Sequence, residues 1–380
     1  MQDLPTSAFG DDLDDFEIEI PSWGLGRAGT RFETYTSDSE PDTIEERIEA
    51  AREVYEYTGH GKTVSLHFPW DGSTREDVEA VRGLLETEGL RAGAVNANLF
   101  TMRENATLDD RLRYGSLISP YPDVRDAVRE HIYECIDWMR LLDSDTLILW
   151  LPDGTNSFGQ LSFFDMYDRV ADQLDEIEDE LRDEEEVLVE YKPFEPAFYA
   201  TAIFDWGSAL SFSEAVGESA SVLVDTGHHL QGANVEQIVG YLSKLDELGG
   251  FHFNDSKYAD DDLVTGSLDP AEVFRIFTTL READSRGLLD MHDVSYMIDQ
   301  AHYVRDPTDA MIESVENVQL AYLRSGLVDF EELHSYQQDA DIKGAEAEIY
   351  SAMRTDARPA LKEWREENDI PTDWRDARSE

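Results

Sequence analysis

The chain's 380 residues carry 84 acidic and 31 basic side chains, and the net charge of −53 repels phosphate backbones and excludes nucleic acid as a partner. Acidity here does not mean disorder, because 41% of the residues are hydrophobic, 11% are aromatic and the apolar runs are regular. The single cysteine, Cys135, excludes an intrachain disulfide framework and a thiolate-rich metal site, and its setting, HIYECIDWM, reads as a buried helix face.

Residues 1–15 read as a loose acidic lead-in, without the basic start and apolar core of a secretion signal. Short β-rich runs then follow at 16–20 (FEIEI), 63–67 (TVSLH), 92–96 (AGAVN), 145–150 (DTLILW), 187–191 (VLVEY), 221–225 (SVLVD), 249–253 (GGFHF) and 294–299 (VSYMID). Helical patterns lie between and after them, near 42–58, 74–89, 121–142, 161–182, 196–215, 234–247, 270–284 and 306–325. SFSEA at 211–215 reads as a break or cap. Strict alternation of strand and helix requires a parallel sheet with helical crossovers. Eight such units predict an α/β fold, a (β/α)8 TIM barrel over 1–325, with 326–380 as a C-terminal helical extension that contacts a neighbouring subunit. A doubly wound open sheet is the alternative; it lacks support because SWGLGRAGTRF does not space its glycines as a dinucleotide fingerprint does. No run of 18 apolar residues exists, so no membrane span is expected and a cytoplasmic location is. The acid fits a halophilic coat in molar salt, where the Debye length falls to ~3 Å and self-repulsion is screened; low salt is then expected to loosen the fold.

In such a barrel the chemistry sits at the C-terminal ends of the strands. Those ends carry His67, with Trp70 and Asp71 after it, and Trp150. They also carry Glu190 and Lys192, Asp225 and His228, His252 with Asp260 and Asp262 beyond it, and Asp299. Any one of these is ordinary in so acidic a chain. Together they are not, because a solvated coat gives no reason to put acid at the ends of buried strands. Unpaired carboxylates crowded at one mouth repel and are costly to desolvate, and a divalent cation removes that conflict. Carboxylate and imidazole ligands without thiolate favour Mn²⁺, Mg²⁺ or Co²⁺, with Zn²⁺ also compatible. Asp261, on the opposite face from Asp260 and Asp262, reads as solvated surface.

VEYKPFEPAFYAT, VDTGHH, FHFNDSKYADDDL with GSLDP, and MIDQAH with DP together resemble the L-rhamnose isomerases, in particular the bacterial branch of broad aldose–ketose specificity within the xylose-isomerase-like barrels. PSWGLGRAGTRF, SLHFPWD and LWLPDGTNSFGQ are similar to the same family, and the likeness runs in order from about residue 18 to about 365. EYK in place of the commoner EHK, and Ala259 where glycine is usual, depart from it without touching a proposed ligand.

The resemblance implies a two-metal sugar isomerase, most readily with Mn²⁺, working as a homotetramer on a small sugar. It places Glu190, Asp225, His252 and Asp299 on a structural metal, and His228, Asp260 and Asp262 on a catalytic one. Lys192, His67, Asp71 and Trp150 match substrate-lining positions, and Phe32 a loop residue that reaches a neighbour's pocket. His67 oriented by Asp71 is the expected proton carrier for ring opening, with Lys192 and Glu190 completing the catalytic group. Trp70, Trp150, Phe100 and Phe32 offer apolar faces to the sugar. The reaction expected is a C1–C2 hydride shift between L-rhamnose and L-rhamnulose or related sugars. The alternatives are a ketose 3-epimerase, a metal-dependent hydrolase on the same barrel, and a non-catalytic sugar-binding barrel.

Overall fold

The computed structural model describes residues 13–26, 40–99 and 109–378. Eight parallel strands close into a barrel: β1 (Glu19–Pro21), β2 (Thr63–Phe68), β3 (Arg91–Ala97), β4 (Thr146–Trp150), β5 (Glu186–Glu190), β6 (Ala220–Asp225), β7 (Leu248–Phe253) and β8 (Ser295–Ile298). Closure runs through Glu19, which pairs with Met297 on β8 and with Thr63 on β2. Helices α1 (Ile44–Thr58), α2 (Arg75–Glu88), α3 (Pro122–Leu141), α4 (Phe163–Glu178), α5 (Trp206–Val216), α6 (Val235–Leu245), α7 (Pro270–Ser285) and α8 (Pro307–Ser325) form the crossovers and the outer ring.

Local sequence sets these boundaries. Thr43 and Thr74 open α1 and α2 with reciprocal capping boxes to Glu46 and Asp77, satisfying backbone N–H groups that the first turn leaves over. Gly59 and Gly89 end the same helices at φ 75° and 71°, where a side chain would be strained. Alternation along the strands sends Ala94, Ile148, Leu188, Leu223 and Met297 into the barrel, where they fill its middle as one apolar layer. The opposite faces of the strands meet the helices in the larger core. Cys135 is buried in α3, where burial pushes its thiol pKa up.

Three expectations are corrected. The helix predicted at 196–215 starts only at Trp206, where Asp205 caps it; Ala200–Thr201 instead pairs antiparallel with Gly154–Thr155. That ribbon requires glycine at 154, since a Cβ there would lie 2.2 Å from the Ala200 carbonyl oxygen. SFSEA is not a break but the end of α5, with Phe212 and Ser213 buried and the stop at Gly217. The lead-in is tied down by residue 13: Leu13 is buried, and Asp14 accepts a 2.7 Å hydrogen bond from the Trp364 indole.

Beyond α8 come α9 (Phe330–Gln338), α10 (Ile342–Arg354), α11 (Arg358–Glu367) and α12 (Trp374–Ala377). They pack on their own barrel. The buried Arg365 guanidinium donates to Glu316 and Gln319 of α8, each at 3.0 Å, and Trp364 stacks on His60 at 5.1 Å. No helix among the described residues is long and apolar enough to cross a membrane.

Candidate metal centre

The strand ends bring seven ionisable ligand candidates to one rim. Glu190, Asp225 and His252 are the inward residues at the tops of β5, β6 and β7, and all three are buried. Asp299 follows β8 directly, while His228, Asp260 and Asp262 come from the loops after β6 and β7 and are buried too. Ligand atoms of Asp225, His252 and Asp299 lie within 4.8 Å of one another, and so do those of Glu190, Asp225 and His228.

Asp225 is the hinge of the arrangement. Its Oδ1 accepts from the Gly227 backbone N–H at 2.7 Å and the Asn254 amide at 3.0 Å. Its Oδ2 is buried with no hydrogen-bond partner, 3.7 Å from His228 Nε2 and 3.8 Å from His252 Nδ1. A buried, orphaned carboxylate oxygen common to two donor trios is the feature a shared cation site requires. His228 extends the cluster: Nδ1 lies 3.2 Å from Glu190 Oε1 and 3.1 Å from the Tyr191 carbonyl, and Nε2 lies 3.2 Å from Asp260 Oδ1. It therefore sits as close to Glu190 as to Asp260, with Asp225 at 3.7 Å, so the two expected ligand sets interlock rather than stand apart.

Electrostatics report the same crowding. Burial pushes Asp299 up to about 7 and raises Asp225, and the nearby imidazoles, His252 for the first and His228 then His252 for the second, offset it only in part. Burial, then the charge of Asp260, holds Asp262 well above the ordinary carboxylate range. His252 moves the other way: burial opposes its charge, but Glu190 and then Asp299 carry it to about 9. Burial would raise Glu190, and the two imidazoles outweigh it and depress its pKa. Imidazolium and ammonium charge thus do the work that a divalent ion does better, with oxygen and nitrogen donors already in place. The residues fit such an ion.

Around this core, Lys192 is buried, ion-paired with Asp260 and 3.9 Å from Glu195. Burial would lower its pKa, and Asp260 more than reverses that. Its Nζ lies 4.9 Å from the centre of the Trp150 ring. His67 is buried with Nδ1 unpartnered, and burial, reinforced by His252, drives its pKa to about 3, so the ring is neutral. Trp70 lies nearly parallel to it at 6.1 Å.

The expected role of Asp71 is corrected: it makes no bond to the His67 ring. It accepts the His67 backbone N–H at 2.7 Å and the Ser22 hydroxyl at 2.5 Å, and pairs with Arg47 at 3.2 Å. It therefore fixes the backbone of the β2 end. Asp261 is likewise more than solvated surface, since its Oδ2 accepts the N–H groups of Lys257 and Tyr258, both at 2.6 Å, and shapes the loop that presents its neighbours. Phe32 and Phe100 lie outside the described residues. Sequence reasoning missed Trp23, whose indole donates to Asp299 Oδ1 at 2.7 Å, and Asn254. Both stand just past strand ends, β1 and β7, so the rule that found the acids would have found them had it been applied to neutral donors.

Residues 48–316 match the family described as xylose isomerase-like TIM barrel. The chain belongs to that family. A probable sugar isomerase of Rhizobium meliloti (strain 1021) is 37% identical over 354 residues, 93% of this chain and 81% of the relative. A second probable sugar isomerase, from Mesorhizobium japonicum, is also 37% identical, over 92% of this chain and 80% of its own length. Among solved structures, an L-ribulose 3-epimerase superposes with a TM-score of 0.58 over 86% of this chain and 97% of its own; at 12% identity this likeness concerns the fold. This member of the xylose isomerase-like family is therefore a sugar isomerase-type barrel whose mouth carries a candidate metal-binding cluster of Glu, Asp and His.

Proposed function

We propose that the protein interconverts an aldose and its ketose at C1 and C2 with two divalent ions, and that L-rhamnose and L-rhamnulose, or the related L-lyxose and L-mannose pairs, are its substrates. The observation that carries this reading is the pair of donor trios at the mouth, Asp225 with His252 and Asp299 and Asp225 with Glu190 and His228, which share one carboxylate, with Asp260 3.2 Å from His228. When bound, the ions supply Lewis-acid polarisation of adjacent sugar oxygens, with Mn²⁺ the favoured ion and Co²⁺, Mg²⁺ or Zn²⁺ admissible.

The chain's own residues do the rest. His67, neutral and with a free Nδ1, takes and returns the proton of the sugar's ring opening. Lys192, held by Asp260 and Trp150, donates to an oxygen near C1 and C2. Trp70, 39% exposed beside His67, faces the C–H side of the sugar. The hydrogen passes between C2 and C1 as a hydride, so no side chain has to remove it. The acidic coat suits molar KCl, and the enzyme works in the cytoplasm as a homo-oligomer.

The other readings have less support. A 3-epimerase of this superfamily uses paired glutamates around one ion, whereas here Glu190 is joined by aspartates and histidines. A phosphate-cleaving hydrolase needs a basic clamp, but Lys192 and Arg47 are committed to Asp260 and Asp71. A sugar-binding barrel without catalysis has no use for a complete ligand set. The test is chelator-stripped protein, reloaded with Mn²⁺ in molar KCl and given a panel of aldoses and ketoses in D₂O. The expected outcome is metal-dependent aldose–ketose conversion without deuterium in the product. Full turnover by stripped protein, or C3 epimerisation alone, refutes the reading; deuterium at C1 or C2 refutes the hydride shift.

A further inference from the structure

Two residues near the mouth hold a left-handed backbone, Asp262 at φ 47° and Tyr303 at φ 53°. Aspartate visits that region with some ease, but a tyrosine there is strained and persists only where its surroundings hold it. The two are tied to each other. The Tyr303 hydroxyl donates to the Asp261 carbonyl, and the Ala301 N–H donates to the Asp262 carbonyl at 2.9 Å. Both peptide groups that flank the Asp262 Cα are thus pinned by one short segment, 299–303, which begins with Asp299.

That segment is firmly anchored. Gln300 is buried, its carboxamide oxygen accepts the Thr265 N–H at 3.1 Å and the Ser314 hydroxyl, and its amide donates to the Ala310 carbonyl at 3.2 Å. His302 is buried too, with Nδ1 3.3 Å from the Gly24 carbonyl. The loop it holds, 256–262, is closed at its base by Asp255 and Leu263, whose backbones pair at 2.9 and 2.8 Å. Within the loop, the Asp261 carboxylate gathers the N–H groups of Lys257 and Tyr258, at the far end from Asp262. The Asp260 side chain is steered by Lys192 and His228. That of Asp262 faces the like charge of Asp260, so its backbone has to place it.

We propose that Tyr303 is a positioning residue for the second ion: its hydroxyl fixes the Asp261–Asp262 peptide and so sets where the Asp262 carboxylate stands. This rests on the two-ion reading and on no particular sugar.

The test is Mn²⁺ binding by metal-stripped protein in molar KCl, titrated against a chromophoric chelator. The wild type is expected to take up two ions. Tyr303→Phe keeps the 38% exposed ring and removes one donor. One affinity is expected to fall about 10-fold, the low end for partners of metal ligands because the bond acts through a peptide, and the other to stay. Tyr258→Phe, which removes the hydroxyl of a 78% exposed tyrosine on the same loop, is expected to change neither. A double-mutant cycle assigns the effect: in an Asp262→Asn background, Tyr303→Phe is expected to leave the residual Mn²⁺ binding unchanged. Unchanged affinities in Tyr303→Phe, equal weakening of both ions, or a further loss in the Asp262→Asn background overturns the proposal. Turnover adds a second readout. The deficit of Tyr303→Phe at limiting Mn²⁺ is expected to vanish at saturating Mn²⁺; a raised KM for the sugar with both Mn²⁺ affinities intact makes Tyr303 a sugar contact and overturns the proposal. Two ions in the wild type and a silent Tyr303→Phe leave the two-ion reading standing, whereas a wild type that takes up fewer than two overturns both.

Discussion

Glu86 and Glu190 are the same side chain near the end of a regular element, and their surroundings differ in kind. Glu86 stands on α2 with its carboxylate 65% exposed, and meets Arg82 one turn away at 3.0 Å. Water already solvates it, so that pair contributes about 0.2–1 kcal/mol at most. Glu190 is buried at the barrel mouth, 3.2 Å from each of two histidines, and its charge survives only because cations are brought to it. Acid on the coat is tolerated singly and matters in aggregate; acid at the mouth matters residue by residue.

The widest separation between the two regions is expected from Asp225→Ala set against Glu86→Gln. Asp225 is common to both donor trios, so its loss removes metal from both positions. Losing several kcal/mol of charge stabilisation corresponds to a fall in turnover of about 10³-fold. Metal content by mass spectrometry should drop with it, while Glu86→Gln leaves both readouts where they were. If Asp225→Ala retained its ions, the mouth would be no different from the coat.

A third kind of acid sharpens the comparison. Glu19 projects from β1 beneath the mouth and accepts the Ala94 N–H at 2.9 Å; a Cβ on Gly93 would lie 2.0 Å from its Oε2, so glycine makes the room. Unlike Glu190 it has no imidazole in contact, and burial pushes its pKa from 4.5 up to about 7. The folded protein therefore keeps this proton over a range in which the unfolded chain has lost it. Stability falls as pH rises from about 4.5 to 7 and is level above, by about 3 kcal/mol in all. Glu19→Gln keeps an acceptor for Ala94 and cannot ionise. Denaturant melts at pH 5 and pH 8 should show the difference between wild type and variant shrinking or reversing in the variant's favour at the higher pH. A difference independent of pH would mean that Glu19 is solvated like the coat.

How much of this the sequence discloses follows from distance along the chain. The barrel is legible because alternation is local, and the ligands are legible because a barrel delivers every strand top to one rim. Contacts that depend on closure are not. Asp71 reads as a partner for the nearby His67, yet Ser22, 49 residues earlier, is the hydroxyl that reaches it, because β1 and β2 are neighbours. The helical reading of 196–205 fails because Ala200–Thr201 finds a partner strand some 45 residues upstream, which no local pattern announces. The Tyr303 hydroxyl is equally hidden, since 42 residues of chain separate it from the Asp261 carbonyl it reaches.

Trp23 and Asp299 extend the comparison to neutral support, 276 residues apart in the chain and joined by a 2.7 Å bond. A coat carboxylate needs no such donor, because water supplies it. Asp299 stands at about 7, burial being the first cause, and the indole N–H is one of the groups that lower it toward the ionised form a ligand must take. Trp23→Phe keeps an aromatic ring against the buried wall and removes only that donor and some volume. Affinity for one of the two ions should weaken by about 10–100-fold, as for other partners of metal ligands. Competition titration against a chromophoric chelator would resolve the weaker ion from the stronger. The second ion, expected on Glu190 and His228, should be unaffected, because the Trp23 indole donates its hydrogen bond to Asp299. Equal weakening of both would place the indole's effect in packing; no weakening of either would leave Asp299 as solvated an acid as those on the helices.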